Sequence, residues 1–137
     1  AKWPKEKIWL VFQPHQYLRT YHFYRDFIRI LSELPVDKLI LIDIYDVAGR
    51  EDKMAKSKVS SEKLMQEVQR RTIGEKAPNA LVYIPTIEEA EKYIKEHLGR
   101  NQILMIMGAG DIYNLTLRLR SGQAPRLTES PQKRKIE

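Results

Sequence analysis

The chain alternates short apolar runs with segments in which apolar residues recur at helical spacing. The runs are rich in β-branched residues and are almost continuously hydrophobic, which is typical of parallel strands buried on both faces. The predicted strands are Lys7–Phe12, Lys38–Ile44, Leu81–Pro85 and Gln102–Met107.

A segment with helical spacing follows each of these runs. The second predicted helix has Ser60 or Ser61 at its N-cap, and Thr86 and Glu89 of the third have the spacing of a capping box. The predicted helices are Tyr21–Glu33, Ser61–Arg71, Ile87–Leu98 and a segment from Asp111 to about Arg120. Strict alternation of strands and helices favours an α/β domain with a parallel sheet and helices on its faces.

Composition narrows the class of protein without defining its function. The 137 residues suffice for one domain with a core, and 42% of them are apolar, which excludes a disordered polar polymer. The absence of cysteine excludes disulfide and thiolate–metal frameworks. No apolar run reaches the roughly 20 residues of a membrane helix, and residues 1–4 show no signal-peptide pattern. We expect a cytoplasmic protein without membrane contact.

The net charge of +6 is concentrated at the end of the chain. Residues 118–137 hold six basic and two acidic residues, so they carry +4 of that total. Basic and acidic residues are interspersed elsewhere, as on an ordinary solvated surface, so we expect no nucleic-acid partner. Residues 121–137 are polar, contain two prolines and show no periodicity, which predicts a disordered tail.

Three loops are expected to meet at one edge of the sheet, because right-handed crossovers bring the carboxyl ends of parallel strands together. Ligands of open α/β sheets bind at that edge. The loops are residues 13–20, 45–58 and 108–111.

His15 and Arg19 are the chemical candidates of the first loop. The planar guanidinium of Arg19 matches a carboxylate or a phosphate, and His15 adds a hydrogen-bond donor. The alternative interpretation is a structural strand-to-helix turn, with Thr20 as N-cap and Arg19 in water.

The other two loops give weaker indications. Asp43 and Asp46 could hold a cation, although a solvated loop with internal ion pairs is the stronger interpretation. Gly108 and Gly110 would let the backbone approach a ligand, and Asp111 would cap the next helix; a plain tight turn is the alternative.

Nucleotide and metal sites are not indicated. The chain contains no Walker A sequence. Three separated histidines without cysteine make no standard metal site, and His22 and His97 are interpreted as structural.

The three loops together resemble the C-terminal domain of the Mur ligases, and in particular the UDP-N-acetylmuramate–L-alanine ligases. The first motif is specific and the other two are supportive. The matching residues are Phe12-Gln13-Pro14-His15 with Tyr17 and Arg19-Thr20, then Asp43-Ile44-Tyr45 with Ala48-Gly49, then Met107-Gly108-Ala109-Gly110-Asp111.

This resemblance implies a Rossmann-like three-layer domain within an ATP-dependent ligase of peptidoglycan precursor synthesis. Such an enzyme uses ATP and Mg²⁺ to convert the carboxylate of UDP-N-acetylmuramate to an acyl phosphate, which the amine of L-alanine attacks. By the resemblance, His15 and Arg19, with Gln16 between them, would bind the carboxylate of L-alanine. Tyr45, Gly108, Gly110 and Asp111 would lie at the edge of the active site.

Two departures from the family pattern accompany the resemblance. Position 16 is Gln where the family often has a second Arg, which implies a weaker carboxylate clamp. The Tyr-His-His-Pro segment expected upstream is absent. We therefore expect residues 1–120 to be an incomplete C-terminal domain, silent without the N-terminal and ATP-binding central domains. A stand-alone flavodoxin-like module and a nucleic-acid binder acting through the basic tail are the alternatives.

Overall fold

The computed structural model describes residues 6–46, 52–72 and 80–121. Within these ranges the chain forms four strands and six helices. In chain order they are β1 (Lys7–Phe12), α1 (Tyr17–His22), α2 (Tyr24–Ser32), β2 (Lys38–Leu41), α3 (Lys53–Lys58), α4 (Ser61–Arg71), β3 (Ala80–Tyr83), α5 (Ile87–His97), β4 (Gln102–Met107) and α6 (Tyr113–Ser121).

The four strands make one sheet in the order β3-β2-β1-β4, and every pair is parallel. Strand β1 lies inside the sheet, where Leu10 pairs with Leu39 of β2 on one side and with Met105 of β4 on the other. The predicted α/β class and the parallel sheet are therefore confirmed.

Two apolar cores lie on opposite faces of the sheet, as the near-continuous hydrophobicity of the strands predicts. On one face Trp9, Val11 and Ile40 pack with residues of α5 and α6. On the other face Leu10 and Leu39 pack with residues of α2 and α4. The sheet is thus the middle layer of a three-layer domain. On β4, Met105 and Met107 are about half exposed.

The second strand is shorter than predicted, ending at Leu41 instead of Ile44. Beyond it the chain still forms hydrogen bonds, because Asp43 N donates to Pro85 O and Tyr45 N donates to Pro14 O. Proline has no N–H to donate in return. The ladder is therefore interrupted beside β1, where Pro14 has no N–H to donate.

The segment predicted as one helix, Tyr21–Glu33, belongs to two helices. The first, α1, already begins at Tyr17, and Phe23 separates it from α2. No Gly or Pro marks the break. Instead, α2 is oriented by Phe27, whose ring lies 5.8 Å from that of Phe12, while α1 packs against α3. Thr20 is no N-cap: it is buried inside α1 and its hydroxyl donates to Gln16 O at 2.7 Å.

The sequence predicts a loop over residues 45–58, but the structure contains helix α3 within that range. Its signal in the sequence is Asp52, whose side chain accepts a hydrogen bond from Ala55 N at 3.0 Å as N-cap. Helix α4 begins at the predicted place, with Ser60 as its cap. The proposed tail beyond residue 121 and residues 47–51 lie outside the described residues.

Ser61 connects α4 to the end of β2, and its removal should destabilise the domain. Its hydroxyl is buried and donates to Ile42 O at 2.6 Å. The Ser61→Ala variant leaves that buried carbonyl without its partner, so its free energy of unfolding should fall by about 1–3 kcal/mol. The control is Ser57→Ala, which removes an exposed hydroxyl and should change it by less than about 0.5 kcal/mol. Urea unfolding of both variants provides the measurement; equal losses would contradict the role of Ser61.

Candidate functional site

The three loops predicted to converge do meet, because β1 lies between β2 and β4. The first loop is bonded to the second by Gln16 N, which donates to Tyr45 O at 3.0 Å. It is bonded to the end of β4 by Gln13 N, which donates to Met107 O at 3.0 Å. His15, Tyr45 and the Gly108–Asp111 loop therefore belong to one site at the carboxyl edge.

The side chains of His15 and Tyr45 stack on each other. Their ring centroids are 5.4 Å apart and their planes differ by 17°. The two residues also form a parallel β-bridge. The position of His15 is thus fixed in two ways: its backbone pairs with that of Tyr45, and one face of its imidazole stacks on the Tyr45 ring.

Glycine is required at positions 108 and 110 of the third loop. A Cβ added to Gly110 would lie 2.4 Å from Cγ of Tyr45, and one added to Gly108 would lie 2.8 Å from Cγ2 of Ile112. Both distances are well inside van der Waals contact. The backbone of this loop therefore packs directly on the side chains of its neighbours. The approach of this backbone to a ligand stays a prediction.

Gln13 belongs to the first motif and has a role in this site that the motif alone does not reveal. Its buried amide donates through Nε2 to Asp111 Oδ1 at 2.9 Å and accepts through Oε1 from Ile112 N at 3.2 Å. The carboxylate of Asp111 is therefore bonded to Gln13, and the helix expected to start at Asp111 starts at Tyr113. The sequence signal was a glutamine directly after a buried strand, where a polar side chain needs a partner.

Gln16 has an unusual backbone conformation. Its φ of 69° and ψ of 135° lie in a region that only glycine adopts readily. Such strain costs of the order of 1–3 kcal/mol and persists only where the surroundings impose it. At Gln16 the surroundings are the bond to Tyr45 O and the start of α1.

Arg19 lies in α1, three residues beyond Gln16, with an exposed side chain. No ion pair of its guanidinium is found in the part of the chain that the structure describes. Arg19 follows His15 by four residues, and the structure shows no contact between the two side chains. An imidazole and an uncommitted guanidinium beside a strand end can together bind a carboxylate.

The carboxylates proposed as cation ligands have protein partners. Asp43 accepts a hydrogen bond from Tyr83 Oη, and burial together with this bond raises the pKa of the Tyr83 phenol. Asp46 pairs with Lys56 Nζ at 2.7 Å. Among the described residues no group of three or more His, Cys, Asp or Glu side chains could hold a metal ion.

An acidic cleft of about 650 Å³ opens beside the stacked pair. Tyr45 and Gln13 form part of its wall. Four carboxylates from three segments of the chain line it against one guanidinium, that of Arg118, and Asp46 is paired with Lys56. The remaining negative charge favours an ammonium group over an anion. The four carboxylates belong to Asp43, Asp46, Glu88 and Asp111.

The two other histidines lie away from this site. His97 is in the last turn of α5, where its Nδ1 is 2.9 Å from Tyr93 O and its ring stacks on that of Tyr93. His22 ends α1, with its ring edge-on to Tyr21. Each has local protein contacts, in agreement with the structural interpretation.

Glycine should suit position 16 better than alanine. The Gln16→Gly variant relieves the backbone strain, whereas Gln16→Ala keeps it and also provides a poorer N-cap. We expect Gln16→Gly to be about 1 kcal/mol more stable than Gln16→Ala, as measured by urea unfolding. An alanine variant as stable as the glycine variant would show that the backbone of Gln16 is not strained.

Comparisons with known proteins identify relatives of the chain. No family model matches it, and none of the helices described is long and apolar enough to cross a membrane. The chain is 38% identical over 115 residues to the UDP-N-acetylmuramate–L-alanine ligase of Lachnoclostridium phytofermentans, and 36% identical over 116 residues to the protein of that name from Lachnospira eligens. It is 33% identical over 112 residues to the one from Alkaliphilus metalliredigens.

These matches cover 82–84% of the chain but only 22% of each relative. The matched region therefore includes most of the chain. The described residues form the predicted α/β fold and bring the three motifs to one edge of the sheet. The chain therefore belongs to the UDP-N-acetylmuramate–L-alanine ligase family of Mur ligases, and spans about one fifth of the length of its relatives.

Proposed function

We propose that the chain is the part of an ATP-dependent ligase that binds L-alanine for addition to UDP-N-acetylmuramate. The observation that supports this most strongly is the convergence of His15, Tyr45 and Gly110 at the carboxyl edge of the sheet. These residues come from three separate motifs that resemble the ligases. A match along the sequence does not require the three motifs to lie close together in the fold. Their convergence therefore supports a common site more strongly than the resemblance alone.

The charges around the site suit a zwitterionic amino acid. His15 and Arg19 follow β1 and provide hydrogen-bond donors for a carboxylate. The acidic cleft is lined in part by Tyr45 and favours an ammonium group. L-alanine carries both groups on its α-carbon. In this proposal the site orients the amine by binding the carboxylate, which is an entropic contribution to the reaction.

The nucleotide and the acyl-phosphate chemistry belong to other parts of the ligase in this proposal. The sequence has no Walker A loop, and the described residues contain no cluster that fits Mg²⁺. ATP, Mg²⁺ and UDP-N-acetylmuramate would therefore be held mainly by the N-terminal and central domains of a full-length enzyme. The residues of this chain would bind and orient the amino acid.

Substitution of His15 or Arg19 should weaken the use of L-alanine. The enzyme for this test is a hybrid in which residues 6–121 replace the matching segment of the Lachnoclostridium phytofermentans ligase. Loss of one charge-assisted hydrogen bond is worth about 1.5–3 kcal/mol, so His15→Ala and Arg19→Ala should each raise KM for L-alanine by about 10- to 150-fold. KM for ATP should stay within about twofold, because neither residue is proposed to bind the nucleotide.

Arg100→Ala is the matched control, because Arg100 is an exposed arginine that precedes β4 at the opposite edge of the sheet. Its KM for L-alanine should equal that of the unsubstituted hybrid. An active hybrid in which Arg19→Ala and Arg100→Ala behave alike would remove Arg19 from the proposed site. Unchanged KM in both His15→Ala and Arg19→Ala would contradict the proposed function.

The 137-residue chain by itself should be catalytically silent. Without a phosphate-binding loop it should not release phosphate from ATP, with or without L-alanine and UDP-N-acetylmuramate. A coupled phosphate-release assay on the purified chain provides the measurement, with the full-length relative as positive control. ATP turnover that co-purifies with the monodisperse chain would contradict this expectation.

A further inference from the structure

Tyr45 contacts the other two loops of the site. Its ring stacks on the imidazole of His15. The ring also packs against the backbone of Gly110, so closely that a Cβ there would lie 2.4–2.7 Å from three atoms of the ring. The phenol ring is therefore in contact with both the histidine and a glycine backbone.

The backbone fixes the same arrangement independently of the rings. Tyr45 N donates to Pro14 O at 2.9 Å, and Gln16 N donates to Tyr45 O at 3.0 Å. These two bonds bracket His15 in the chain. These bonds fix the backbone of Tyr45 beside that of His15, which brings the two side chains close enough to stack.

Gln13 holds the third loop in register with the other two. Its side chain bonds to Asp111 and to Ile112 N, and its backbone N–H donates to Met107 O. Gly110 lies between these attachment points. A movement of the Gly110 backbone away from Tyr45 would therefore have to break bonds to a buried amide, each of which costs about 1–3 kcal/mol to leave unmade.

The imidazole of His15 has one nitrogen buried against the protein. Nδ1 is inaccessible to solvent and has no hydrogen-bond partner among the described residues. A buried N–H without an acceptor is costly, so the neutral ring is expected to carry its proton on Nε2. An Nε2–H is then the donor left for a ligand.

We propose that Tyr45 is a positioning residue for His15. In contact with Gly110, its ring holds the imidazole in one orientation, with Nδ1 against the protein and Nε2–H presented to the substrate carboxylate. The presentation to substrate rests on the proposed function, whereas the orientation of the ring does not. Tyr45 acts in this proposal through the plane of its ring, and its hydroxyl is not required.

The ring nitrogens of His15 report this orientation directly. Long-range proton–nitrogen spectra of the ¹⁵N-histidine-labelled 137-residue chain, recorded at about pH 8 where free imidazole is neutral, distinguish the two tautomers. The unsubstituted chain and Tyr45→Phe should show His15 as the Nε2–H tautomer in a single set of signals. Tyr45→Leu, which keeps an apolar side chain without a ring, and Gly110→Ala, which displaces the ring, should shift these signals or split them between tautomers.

Tyr113→Ala is the matched control, because Tyr113 is an exposed tyrosine at the same edge. It should leave the His15 signals unchanged, and His97 provides an internal reference that no variant should alter. An Nδ1–H tautomer in the unsubstituted chain would overturn the proposal. Folded Tyr45→Leu and Gly110→Ala variants with unshifted His15 signals would overturn it as well.

The hybrid ligase separates this proposal from the proposed function. If both hold, Tyr45→Leu should raise KM for L-alanine about tenfold with a smaller change in kcat, and Tyr45→Phe should restore it. If the tautomer changes in Tyr45→Leu while KM for L-alanine responds neither to Tyr45→Leu nor to His15→Ala, Tyr45 positions His15 but the proposed substrate role of His15 is wrong. If KM responds to His15→Ala alone and the tautomer is unchanged, the substrate role stands and the positioning role of Tyr45 is wrong.

Discussion

The parallel pairing of β1 with both β2 and β4 is the constraint on which the candidate site depends. It brings the ends of three strands to one edge, and each strand is followed by one of the three motifs. The hydrogen bonds beyond the strand ends continue this pairing into the loops, from Gln13 to Met107 and from Gln16 to Tyr45. Without β1 inside the sheet, the His15 loop would have no contact with one of its two partners.

The same pairing connects the base of the site by main-chain hydrogen bonds. The carbonyls of Pro14 and Pro85 accept bonds from the chain after β2. Buried polar groups then extend the connections: Ser61 binds Ile42 O, and Gln13 binds the loop after β4. The domain thus positions its candidate residues by main-chain bonds and a few buried side chains.

The fold and the location of the site were predictable from the sequence, because both follow from apolar runs and from the topology of parallel sheets. The boundaries of β2 and α1 were not, since they depend on tertiary packing: the ladder of the second strand is interrupted beside Pro14, and helix α2 is oriented by the contact of Phe27 with Phe12. The spacing of apolar residues within one segment does not indicate which residues of other segments lie beside it.

Within the site, the sequence indicated His15, Arg19 and the glycines but not how they are held. The role of Gln13 requires knowing that Asp111, 98 positions later, lies within hydrogen-bond distance. The fit of Tyr45 against Gly110 likewise joins residues that are distant in the chain. Arg19 is the opposite case, because its residue type made it a candidate from the sequence alone, and its side chain is exposed in the described part of the chain.

We propose that the three loops form one binding site for an amino acid at the carboxyl edge. The most direct test is a map of backbone amide shifts of the ¹⁵N-labelled chain during titration with L-alanine, with acetate and methylamine as half-molecule controls. The largest shifts should fall within residues 13–20, 44–46 and 108–112, and neither control alone should reproduce them. Shifts centred at the opposite edge of the sheet, or none at any of the three loops at millimolar L-alanine, would contradict this proposal.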